Sequence, residues 1–160
     1  SMEDVVIRGV SLDKNQAKVT LVGVPDKPGV AARIFKALAD AAINVDMIVQ
    51  NVSHGAGAPS TDISFTVDKP DLLKAIKVID ALKTEVGLRD VIADENIGKL
   101  SIVGVGMRSH SGVAAKVFET LAKNDVNIEM ISTSEIKISV VIDLKRGDDA
   151  MRAVHEAFIG

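Results

Sequence analysis

The chain has 160 residues, a formal net charge of −3 and a pI near 5.6. That charge suits nucleic acid poorly, because affinity there rests on neutralising phosphates, and 2% aromatic residues leave no platform on which bases could stack. The absence of cysteine excludes disulfides, thiol catalysis and Cys-ligated zinc, while 47% hydrophobic residues suffice for a packed core of Val, Ile, Leu, Ala and Met.

The chain opens on "SMEDVVIRGV", which is acidic and lacks a signal-peptide pattern. Ser1 ahead of Met2 reads as a cloning remnant, and Met2 as a start or an engineered boundary. No apolar run approaches the roughly 20 residues of a membrane span, so the plain expectation is a cytoplasmic protein. Val5–Val10 reads as a strand. A β-branched run at Val19–Val24 follows, then a turn, "GVPDKPGVA" (residues 23–31), then a helix with Ile34, Phe35 and Leu38 at apolar spacing. "IN" at residues 43–44 reads as the helix end. A strand at Val45–Val52, a Gly- and Ser-rich hairpin loop, "SHGAGAPS", and a strand at Asp62–Val67 come next. A second helix carries Leu72, Ile76, Ile79 and Leu82 on one face, and Asp90–Ala93 reads as a short strand.

The order then repeats. Lys99–Thr133 matches Lys18–Gln50: Gly104 stands at Gly23, Gly112 at Gly29 after a two-residue insertion, Phe118 at Phe35, Asn127 at Asn44 and Glu129 at Asp46. Strands are expected at Leu100–Val105, Ile128–Ser134 and Lys137–Ile142, and helices through Val117, Phe118 and Leu121 and through Met151, Val154 and Phe158. Each copy is therefore a βαββαβ unit, a split βαβ sandwich with two helices on an antiparallel sheet. The second copy runs out before its last strand. Val5–Val10 is expected to fill that edge, which places the first unit at 18–96 inside a second unit made of 1–17 and 97–160. The alternative is that the final strand was cut away.

The turns raise the question of function. In "DKPGVAA", Asp26 has the chemistry to accept N–H bonds outside a helix N-terminus, Pro28 fixes φ, and Gly29 admits positive φ. The amides of Gly29 to Ala31 would then present the positive end of a helix dipole to a carboxylate. A capped turn with no ligand is the competing reading. The second strands carry polar residues where a buried strand should be apolar: Asp46, Gln50 and Asn51, then Glu129 and the run Ser132–Glu135. Edge alternation would explain some of these, but three hydroxyls and a carboxylate in a row also suit an amino acid's polar groups. No catalytic constellation is visible. His54, His110 and His155 share no metal-ligand spacing, Ser111 has no nucleophile elbow around it, and no Walker-type loop is present. No catalytic residue, metal or cofactor is assigned.

Taken with their spacing, "VTLVGVPDKPGVAARIFKALADAAINVDMIVQNVS" with "TDISFTV", and "VGVGMRSHSGVAAKVFETLAKNDVNIEMISTSEIKISVVI", resemble the regulatory region of aspartate kinase, built from two ACT units. That family phosphorylates the β-carboxylate of aspartate with ATP, on the route to lysine, threonine and methionine. Its "KFGGTS"-type catalytic signature is nowhere in this sequence, so the resemblance implies a regulatory chain without catalysis of its own. It also implies a β subunit that begins at an internal start similar to "MEDVVIRGV", forms a homodimer through ACT units, and joins a catalytic α subunit as α2β2. The implied threonine-type site uses Asp26, Lys27, Pro28, Gly29, Val30, Ala31 and Gln50, with Asn127 and Ile128 from a facing unit. The implied lysine-type site uses Met107, His110, Gly112, Val113 and Ala114, with Asp46, Ser53, Ser134 and Glu135. The second turn, "MRSHSG", lacks the Asp and Pro of the first, and Val30 stands where some members carry an acid. A free-standing ACT-domain amino-acid sensor acting on another enzyme is the alternative; a basic stripe or DNA-reading helix is absent.

Overall fold

The structure, a computed structural model, describes residues 6–52, 60–105 and 110–160. Its elements in chain order are β1 (Val6–Asp13), β2 (Gln16–Pro25), α1 (Val30–Asp40), β3 (Asp46–Val52), β4 (Ser60–Asp68), α2 (Leu72–Val86), β5 (Asp90–Asp94), β6 (Ile97–Val105), α3 (His110–Lys123), β7 (Met130–Thr133), β8 (Lys137–Asp143) and α4 (Gly147–Phe158). Two antiparallel four-stranded sheets result, ordered β3-β4-β2-β5 and β1-β6-β8-β7. The compact units are Asn15–Glu95, and Asn96–Gly160 together with the segment ending at Lys14.

In the first unit alternate residues of β2 and β4 face the helices. Ala17, Val19 and Leu21 of β2 are fully buried with Ile63, Phe65 and Val67 of β4, beneath Ile34 and Leu38 of α1 and Ala75 and Ile79 of α2. Phe65 meets Phe35 edge-to-face, with ring centroids 5.4 Å apart. Each fully buried aliphatic side chain here contributes about 1.5–3 kcal/mol of hydrophobic stabilisation. Short 3-10 turns, Lys69–Asp71 and Leu144–Arg146, lead into α2 and α4.

The second unit repeats this plan with Leu100, Ile102, Ile138, Val140 and Ile142 under Val117, Leu121, Ala150 and Val154. β1 lies antiparallel to β6 at the sheet edge, as β5 lies against β2. Its Ile7, Val10 and Leu12 pack on the core. Pairing runs on to Asp13, three residues beyond the Val5–Val10 reading, and Val5 lies outside the described residues. On the helix-free face, the hydroxyls of Ser101 and Ser139 pair at 2.9 Å where Thr20 and Ser64 pair at 2.9 Å in the first unit.

Both first helices stop earlier than "IN" and "VN" suggest. The left-handed residues are Ala42 (φ 59°) and Asp125 (φ 57°), not Asn44 and Asn127. Each turn is closed by a bond from the next amide back to the helix, Ile43 N–H to Leu38 O at 3.0 Å and Val126 N–H to Leu121 O at 2.9 Å. Burial of Ile43 and Val126 against the cores fixes that geometry, the usual hydrophobic partner of such a C-terminal cap.

Candidate functional site

The first turn leaves β2 through a bulge. Pairing with β4 slips between Leu21 and Val24, and Gly23 there adopts φ +67°. Its N–H donates to Asp62 Oδ1 at 3.0 Å. A Cβ at Gly23 would stand 2.9 Å from Cβ of Arg89, so only glycine lets the segment after α2 lie this close. Neither Asp62 nor Arg89 carries a local sequence signal for this role, because their contacts with Gly23 are non-local.

Beyond the bulge, Lys27 N–H donates to Pro25 O at 2.9 Å, and Gly29 is the helix N-cap with φ +90°. Asp26 does not cap: among the described residues, α1 has no side-chain hydrogen bond at its N-cap. The N-cap is three residues beyond Asp26, and Asp26, Lys27, Pro28 and Gly29 are all exposed. Val30 N–H makes only a long bond to Lys27 O, 3.4 Å, and the first internal helix bond is Arg33 N–H to Gly29 O at 3.0 Å. The amides of the first helical turn therefore have no acceptor within the helix, the arrangement that receives carboxylates and phosphates. Space above Gly29 is open, with nothing within 4 Å of a Cβ position. Val30 packs against the core and Ala31 is exposed.

Gln50 sits at the same end of the sheet. Val24 of β2 opposes Thr61 of β4, which opposes Val52 of β3, and Gln50 is two residues back. It opposes the buried Ile63, so it lies on the helix-bearing face of an exposed edge strand. Asp46 stands four residues away, about 13 Å along the strand. Its Oδ1 accepts the N–H of Met47 at 2.8 Å, where β3 is bulged and Met47 takes φ 51°.

The second turn differs. Gly112, matched to Gly29 by the repeat, lies inside α3 and is not among the glycines of positive φ. The helix already includes His110, two residues ahead of it, and the sequence before it lacks the Asp and Pro of the first turn. Val113 is buried in the core and Ala114 packs on it, so both offer backbone only. Gly104 N–H donates to Ile136 O at 2.8 Å, which ties the end of β6 to the β7–β8 turn. In that turn Ser134 Oγ accepts the N–H of Ile136 at 3.4 Å, and Glu135 is exposed. Asn127 is exposed and Ile128 packs on the second core. Ser53 and Met107 lie outside the described residues, as does the His110 side chain. Among the described residues no cluster of His, Cys, Asp and Glu could hold a metal, and no helix is long and apolar enough to cross a membrane.

The ACT domain model matches the chain twice, at residues 19–82 and 100–158, one match in each unit. The chain belongs to the ACT domain family. An aspartate kinase of Stutzerimonas stutzeri is 52% identical over 158 residues, 99% of this chain and 38% of that enzyme. The chain thus spans little more than a third of the length of the curated relatives it matches. A crystal structure of aspartokinase alpha and beta subunits superposes with a TM-score of 0.87 at 49% identity, covering 96% of this chain and 99% of that one. The ligand-free regulatory subunit of aspartate kinase from Thermus thermophilus superposes with a TM-score of 0.86 at 42% identity, over 96% of this chain and 99% of that one. The tandem ACT units therefore correspond to an aspartokinase regulatory region, and the catalytic remainder of those enzymes has no counterpart in this chain.

Proposed function

We propose that this chain is the allosteric regulatory part of an aspartate kinase, binding end-product amino acids and feeding inhibition back to a catalytic partner. One observation carries the reading: a solved regulatory subunit of such an enzyme is covered over 99% of its length, and the ACT model matches in both units of this chain. The first turn takes threonine. Its uncapped amides after Gly29 receive the α-carboxylate, while Asp26 and the amide of Gln50 take the ammonium and hydroxyl, with Asn127 and Ile128 supplied by a second copy. The second turn is the lysine-type site, where Glu135 of the neighbouring β7–β8 turn is the carboxylate suited to the ligand's side-chain ammonium.

Homodimerisation is supported by the edge strands. Ile48 of β3 is 55% exposed and Ile131 of β7, its repeat equivalent, 41% exposed. Equivalent apolar residues on two open strand edges favour pairing with another copy over water. The catalytic α subunit is the further partner, in the α2β2 manner.

Calorimetry on Gln50→Ala tests the threonine site. Each charge-assisted hydrogen bond is worth roughly 1.5–3 kcal/mol, so loss of the Gln50 contact should weaken threonine about tenfold or more while the fold persists. Unchanged affinity would reduce the turn to a turn. Sedimentation that shows only monomer at micromolar concentration, with and without threonine, would overturn the dimer.

A further inference from the structure

Away from both turns, the second unit holds a cleft of about 530 Å³ between α4 and the outer strand β1. It lies at the sheet edge opposite β7, so it shares no residue with either effector site. Val10 and Met151, both partly packed on the core, give it an apolar floor. Arg152, His155 and Glu156 stand along its wall, three and four residues apart, which places them side by side on one helix face. Asp148, 2.9 Å from Lys14 Nζ, closes one end and is already neutralised.

The wall is chemically amphoteric. Among the described residues Arg152 pairs with Asp149, at 3.2 Å, and both are more than half exposed, a pairing that solvent and ligands readily exchange. The side chains of His155 and Glu156 make no hydrogen bond or ion pair among the described residues. A guanidinium suits a carboxylate, a glutamate one helical turn away suits an ammonium, and the floor suits an aliphatic side chain. The volume falls within the roughly 300–1,000 Å³ of small-molecule pockets. We infer that the α4–β1 cleft is a second ligand site of the chain, taking an apolar amino acid or short peptide as its zwitterion. This does not depend on the assignment of threonine or lysine to the turns.

The test is a titration of the 15N-labelled full chain with leucine and, separately, Leu-Leu, followed through the backbone amides. Saturable shifts of the Val10, His155 and Gly160 amides at roughly millimolar ligand are expected, and their relative strength tells amino acid from dipeptide. Leucine methyl ester, which lacks the carboxylate, and N-acetylleucine, which lacks the ammonium, should each bind at least tenfold more weakly. Arg152→Ala and Glu156→Gln should do the same with dispersion of the spectrum intact, since both side chains are exposed. Gln50→Ala should leave these shifts unchanged. No saturable shift at those amides with either probe, or shifts that survive both cleft variants, would overturn the inference.

Discussion

Gly29 and Gly112 occupy matched positions in the repeat, yet alanine at the two sites should move stability in opposite directions. Gly29 holds φ +90° in open space. Gly29→Ala therefore meets no atom and costs only the left-handed backbone, about 1–2 kcal/mol. Gly112 is the third residue of α3, outside the left-handed region, and a Cβ there also meets nothing within 4 Å. Gly112→Ala should stabilise by about 0.5–1 kcal/mol, because glycine loses more backbone freedom on entering a helix. For a unit of this size, 1 kcal/mol shifts the midpoint by about 4–8 °C. Thermal unfolding of the two variants without ligand should thus show one midpoint lowered and the other raised. Shifts of the same sign would refute the claim that Gly29 and Gly112 hold different backbone conformations.

Other substitutions probe the frame around the site. Gly23→Ala adds a collision with Arg89 to a strained φ and should cost more than Gly29→Ala in the same thermal unfolding assay, by about 1 kcal/mol or more. Ala42→Gly should stabilise by about 0.5–1 kcal/mol, and Asp125→Gly by less, because aspartate tolerates the left-handed region better than alanine. Phe65→Ala should cost about 3–5 kcal/mol, the loss of a fully buried ring and its contact with Phe35. Ser101→Ala alone should cost about 1–3 kcal/mol by orphaning the Ser139 hydroxyl, whereas the double change to alanine should restore much of that loss in a double-mutant cycle.

Periodicity made the βαββαβ order legible because each buried stripe, such as Val19, Leu21, Phe65 and Val67, follows the pleat of its own strand. The duplication supplied a second reading of every element. What local pattern could not show was geometry fixed by distant neighbours. Gly23 looked like any turn glycine, but its left-handed bulge answers to Asp62 and Arg89, some 40 and 65 residues away. Asp26 has the composition of a cap, yet the N-cap is Gly29, three residues further on, where the chain takes a left-handed conformation that glycine admits. The helix ends were misplaced by two residues for a similar reason: burial of Ile43 and Val126, not the Asn that follows each, decides where the helix stops.

The most direct test of the regulatory reading is calorimetric titration of the full chain with threonine, with lysine, and with both together. The account predicts saturable binding of threonine that Gln50→Ala weakens about tenfold or more, and a separate response to lysine that Gln50→Ala spares. No heat of binding for either amino acid, alone or together, would contradict the claim that these ACT units sense the end products of an aspartate kinase pathway.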